Sequence, residues 1–124
     1  MDTAGLAEAC QSLAEDLDNE QVALNYTGPQ AITLGKLSSN LSAQASSLRT
    51  LVVADAINKS AQAVQAVKNG TTAINTAVKK LQDAGKAIKI AGLVLSLCGS
   101  IISENPGSVI ANAQNLINAV SDIV

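Results

Sequence analysis

Gly85, Gly92 and Gly99 recur at every seventh residue, and Ile88, Leu95 and Ile102 follow them by three. Alternating steps of three and four trace one face of an α-helix. A glycine inside a helix costs ~1 kcal/mol against alanine. Three in register therefore predict a second helix of the same chain pressed close against that face. The stretch from Lys79 to Ile102 becomes the expected centre of an all-α, antiparallel bundle, with Gly85, Ile88, Gly92, Leu95, Gly99 and Ile102 as its packing seam.

The side chains available for a core suit closely packed helices. Hydrophobic residues make up 48% of the 124, yet there is no Trp, no Phe and a single aromatic, Tyr26. The interior must be Ala, Leu, Ile and Val. A chain of this length supports one core, so residues 1–124 are read as a single helical domain.

Four helices are expected. The first starts at a cap on Asp2 or Thr3 and runs to about Asn25, with Leu6, Cys10, Leu13, Leu17 and Leu24 on one stripe. Tyr26-Thr27-Gly28-Pro29 reads as a turn that places Pro29 at the first position of the next helix. The second helix is long, about Pro29 to Lys68. Leu34, Leu37, Leu41, Ala45, Leu48 and Val52 line it, and Ile57, Val64 and Val67 continue the stripe after a phase drift at Ala54-Asp55. Asn69-Gly70-Thr71 sets a glycine C-cap beside a threonine N-cap and predicts a hairpin tip. The heptad phase also survives through Ile74, Val78 and Leu81, so one unbroken helix is the alternative at that point. The third helix spans about Thr72 to Ser103 and carries no charge from Ile90 onward. Asn105 and Pro106 open the fourth, which turns Val109, Ala113, Leu116, Val120 and Ile123 to one side.

At ~1.5 Å per residue the second and third helices reach roughly 60 and 50 Å, the first and fourth roughly 35 and 25 Å. The expected architecture is therefore a bundle of four helices, a long central hairpin of helices 2 and 3 flanked at its base by the shorter helices 1 and 4. The base comprises 1–54 and 87–124, and a two-helix arm, 55–86, projects from it. The same register sets Cys10 and Cys98 at one height. They are expected to be core thiols in a reducing compartment, and a disulfide becomes plausible in an exported protein.

Charge is segregated along the chain. All six charges before Lys36 are acidic, and from Lys36 to Lys89 eight bases face only Asp55 and Asp83. Lys59, Lys68, Lys79, Lys80, Lys86 and Lys89 would cluster on the arm, as a contact surface or simply as a solvated face. One arginine, no stacking aromatic and a pI near 4.9 argue against nucleic acid. The start, Met1-Asp2-Thr3, shows no basic segment followed by an apolar run, so the expected location is the cytoplasm, or outside the cell by a route independent of a signal peptide.

The residues that enzymes most often use are sparse. There is no histidine, which removes the commonest general base and metal ligand. The three glycines have the wrong spacing for a dinucleotide fingerprint and lie within a helix. Asp16, Asp18 and Glu20 alternate like part of a calcium loop but lack its glycine and its closing glutamate. The expectation is a protein without catalytic residues, cofactor, metal or small-molecule substrate. It would act through helix–helix contacts, as an adaptor, an immunity-type protein or a self-assembling module, with a protein or a second copy as partner. The alternative is a membrane-active, pore-forming component that uses the apolar hairpin 90–124. In outline that arrangement resembles the α-helical pore formers and channel-forming toxins, whose long helices shield an apolar hairpin; the likeness is one of arrangement and rests on no residue motif.

Overall fold

The computed structural model describes residues 3–25, 27–51, 55–80 and 83–123. Expectations on Asp2, Tyr26, Val52, Ala54 and Leu81 lie outside them. Among the described residues every regular element is helical: α1 (Ala4–Ala23), α2 (Gly28–Thr50), the single turn α3 (Asp55–Asn58), α4 (Ala61–Lys80), α5 (Ala84–Ile102) and α6 (Pro106–Ile123). The all-α class holds. The four-helix arrangement does not, because both long helices of the expected hairpin are broken.

The breaks sit where polar side chains take up orphan backbone donors. Ser60 Oγ accepts from the Ala63 amide at 3.1 Å and starts α4. Asp83 Oδ1 accepts from the Lys86 amide at 3.0 Å and starts α5. Asn105 Oδ1 accepts from the Ser108 amide at 3.0 Å and starts α6, as the sequence predicts. Each is an N-cap bond three residues long, worth about 1 kcal/mol. Ser60 and Asp83 have no Pro or Gly immediately beside them, so nothing local separates these caps from solvent-facing residues of a longer helix.

The five long helices close into a ring. α1 packs on α2 and α4, α2 on α5, α5 on α6, and α6 on α4. Contact between α1 and α5 is slight. α4, which is the Ala61–Lys80 part of the expected arm, is held on both sides, by α1 and α6. The core inside the ring draws on every long helix, with Leu6, Leu13, Leu34, Ile74, Leu97 and Leu116 among its fully buried side chains.

α1 and α2 form the best-tied pair. Ser38, buried on the Leu34–Leu41 stripe, donates to the Ala14 carbonyl at 3.1 Å. Thr3 donates to the Leu48 carbonyl at 2.6 Å, and Gln21 to the Ala31 carbonyl at 3.0 Å. Gly35 leaves room for that last side chain: a Cβ there would stand 2.8 Å from Gln21 Nε2.

Gly70 is not a hairpin tip. It lies in the middle of α4, buried, on the stripe Ala63, Val67, Ile74, Ala77. A Cβ on it would meet Leu97 Cδ2 at 3.0 Å, and Ala113 Cβ and Leu116 Cδ2 at 3.9 Å. The unbroken-helix alternative is the one the structure adopts at this point, and here the glycine permits a close approach by α5 and α6.

Candidate interaction face and thiol pair

The seam expected at Gly85, Gly92 and Gly99 faces outward. No atom lies within 4 Å of where a Cβ on Gly92 or Gly99 would stand; at Gly85 the neighbours are Asp83 Oδ1 at 3.2 Å and Gln30 Nε2 at 3.8 Å. The buried stripe of α5 is a different one: Ala87, Ile90, Ala91, Val94, Leu97, Cys98 and Ile101. Two apolar stripes compete on this helix, and from Ile90 to Ser103 no charge marks an outer face. The stripe with more aliphatic area wins, because the gain scales with apolar area removed from water. Glycines contribute little to that sum.

What remains outside beyond Lys89 is an uncharged helix face with small residues along its middle. Ile88 and Leu95 are half-buried and lean on the core, whereas Ile102 is 40% exposed. Ser96 and Ser103 are exposed but spend their hydroxyl protons within the helix, on the Gly92 carbonyl at 3.1 Å and the Gly99 carbonyl at 2.8 Å. Such back-bonding removes donors that would otherwise bind water. One edge of the face is closed by α6, from which Asn112 donates to the Ser96 carbonyl at 3.1 Å and to Ser100 Oγ. α2 lies along the helix as well.

The lysines do not form the expected arm. All six are exposed. Lys79, Lys80, Lys86 and Lys89 lie around the junction of α4 and α5, but Lys59 precedes the opposite end of α4, roughly 30 Å away at the rise of an α-helix. Lys68 lies between, beside a groove of about 560 Å³ where Gly5 and Leu6 of α1 face Val64, Val67 and Thr71 of α4. A second groove, about 610 Å³, runs between α4 and α6 and is lined by hydroxyl, amide and aliphatic groups, among them Asn69, Thr72, Gln114 and Ile117. Neither lining contains a carboxylate.

Cys10 and Cys98 are brought together. Their sulfurs lie 3.6 Å apart, both residues are fully buried, and 88 positions of sequence separate them. The Cys98 thiol is pushed above the usual thiol range. Its hydrogen bond with Cys10 favours the protonated form, burial penalises a thiolate, and negative charge at Cys10 would repel one.

Of the acidic residues on α1, only Asp16 has a carboxylate oxygen, Oδ2, that is buried without a hydrogen-bond partner. Burial first, and the charge of Glu20 second, raise its pKa above 3.8. Among the described residues no cluster of His, Cys, Asp or Glu has the geometry to hold a metal. Comparison with known protein families, with curated proteins and with solved structures gives no match for this chain.

The sequence misplaced Gly70 and did not mark Ser38 or the Asn112–Ser96–Ser100 group. Gly70 had a readable signal in its position on the Ala63–Ala77 stripe. Ser38 sits four residues after Leu34 and three before Leu41, a core position filled by a small polar residue. No local pattern announces Asn112.

Proposed function

We propose that this chain is a non-catalytic helical module that associates with a second copy of itself through the outer face of α5. The open space over Gly92 and Gly99 carries the reading. A face that alternates gaps and knobs every seven residues is complementary to itself. An antiparallel second α5 can set Gly85 opposite Ile102, Ile88 opposite Gly99, and Gly92 opposite Leu95. Each aliphatic side chain then fills a gap, in a two-fold arrangement that uses the same patch on both copies. One helix pair is a small contact beside the ~1,200–2,000 Å² of a standard interface, so the expected dimer is weak and depends on concentration.

Sedimentation velocity across a hundredfold range of concentration tests this. The wild-type chain should pass from monomer to dimer. Gly92→Leu should remain monomeric and folded, because nothing inside the monomer obstructs the new side chain. A wild-type monomer at every concentration, or a Gly92→Leu dimer as tight as the wild type, would refute the proposal.

One observation favours the membrane-active alternative. Among the described residues α5 is the one helix long and apolar enough to cross a membrane, with 19 residues and a mean hydropathy of 1.6, and only 44% of its most apolar stretch is buried. Dye release from anionic vesicles by the purified chain would support that reading over self-association in water. Intact vesicles at neutral and acid pH would remove it.

A further inference from the structure

We propose that Cys10 and Cys98 form an intramolecular disulfide that staples α1 to α5 across the bundle. The two sulfurs already touch, at 3.6 Å, and a bond of 2.03–2.05 Å needs each to swing inward by less than ~1 Å, a side-chain torsion rather than a helix shift. No third cysteine competes. The link joins two helices that lie across the ring from each other and share only slight direct packing, so it adds a covalent tie where packing contributes little. It also closes a loop whose ends lie 88 positions apart, and a long loop is the case in which a cross-link removes most freedom from the unfolded ensemble.

A hydroperoxide serves as the oxidant. One cysteine sulfur attacks the peroxide oxygen, the O–O bond breaks, and a sulfenic acid and one water (or alcohol) result. The second sulfur displaces hydroxide from the first, which leaves as water with the remaining thiol proton. Two thiols have then lost two electrons and two protons, and the peroxide has gained them. Both sulfurs are shielded from solvent and Cys98 resists ionisation. The bond therefore forms during folding, or when the bundle opens locally, and is hard to reduce once closed. The inference does not depend on the self-association proposed above.

The test uses the full chain with hydrogen peroxide in two arms, one added to the folded protein and one during refolding from urea. The expected product in either arm has no titratable thiol after unfolding, a monomeric mass lower by two hydrogens, and a Tm raised by roughly 10 °C. A thiol reductant applied to the unfolded chain should reverse all three. Cys10→Ala should keep one thiol and show no rise. Two thiols persisting in both arms, sulfinic acids in place of the link, or disulfide-bonded dimers as the main product would each overturn the proposal.

Discussion

Replacing Gly92 and Gly70 with alanine, separately, distinguishes an open helix face from a packed one. Both positions lie inside helices, and each substitution gains about 0.8–1 kcal/mol of helix propensity. At Gly92 nothing stands within 4 Å of the added carbon, so the gain is kept. With an unfolding entropy near 2.1 cal/mol/K per residue, 1 kcal/mol raises the Tm of a chain this size by about 4 °C. At Gly70 the added carbon stands 3.0 Å from Leu97 Cδ2, closer than the 3.5–4.0 Å of relaxed carbon contacts. Leu97 is fully buried between helices and has little room to withdraw. Overpacking of this kind costs ~1–3 kcal/mol, which cancels or exceeds the propensity gain. Thermal and urea unfolding followed by circular dichroism, at dilutions where scattering shows a monomer, should therefore place Gly92→Ala above wild type. Gly70→Ala should fall level with wild type or as much as ~8 °C below it. If Gly92→Ala lowers the Tm, a neighbouring helix of the same chain occupies that face. If the two variants gain equally, the contact at Gly70 is looser than the bundle requires.

Asp16→Asn should stabilise the protein at pH 7, with the difference vanishing in acid. The folded state raises this carboxyl's pKa, so its contribution is most favourable when protonated and declines as pH rises from below 3.8 through the folded value; melts at pH 3 and 7 check the sign. Glu104 occupies a left-handed conformation, φ 63, at the end of α5, where the Asn105 amide bonds the Ser100 carbonyl at 3.1 Å. Glu104→Gly removes the steric cost of a side chain there and should add about 1 kcal/mol in urea unfolding. Ser60→Ala and Asp83→Ala each delete a cap bond and should lose about 1 kcal/mol. A loss at either position well under half that value would mean the helix starts without help from the side chain.

Much of the ring is readable along the chain where polar residues fix the phase. The stripes of α1 and α6 are buried from Leu6 to Leu17 and from Val109 to Val120, while Leu24 and Ile123 at their ends are half-buried. On α2, Leu34, Leu41, Ala45 and Leu48 are buried as expected, but Leu37 is half-buried and Ser38 takes the core position beside it. The thiol pair falls together because both cysteines lie on stripes that reach the core. Reading fails where two physical signals of similar size compete. Asn69-Gly70-Thr71 has turn chemistry, but the apolar stripe on either side is worth more than the propensity lost at one glycine, so the helix runs through. On α5 the glycine register is real, yet it cannot set the buried face against a neighbouring stripe of Ile90, Val94, Leu97 and Ile101.

That outcome changes what the glycines imply rather than removing their meaning. Inside the monomer Gly35 leaves room for the Gln21 side chain, and the bareness of Gly70 lets α4 close on α5 and α6. Gly92 and Gly99 return nothing to the isolated fold, and together they forgo about 1.6–2 kcal/mol of a stability that for such domains totals roughly 5–15 kcal/mol. Their neighbours on the same face, Ser96 and Ser103, turn their hydroxyls back onto the two glycine carbonyls, and no charge interrupts the strip between Lys89 and Glu104. A helix that only needed solubility on its outer side would gain from charges there, and one that only needed stability would gain from alanine. A bare, uncharged, regularly notched surface suits close approach by another rod. The fold supplies none within 4 Å of Gly92 or Gly99, and the self-association proposed above rests on that vacancy.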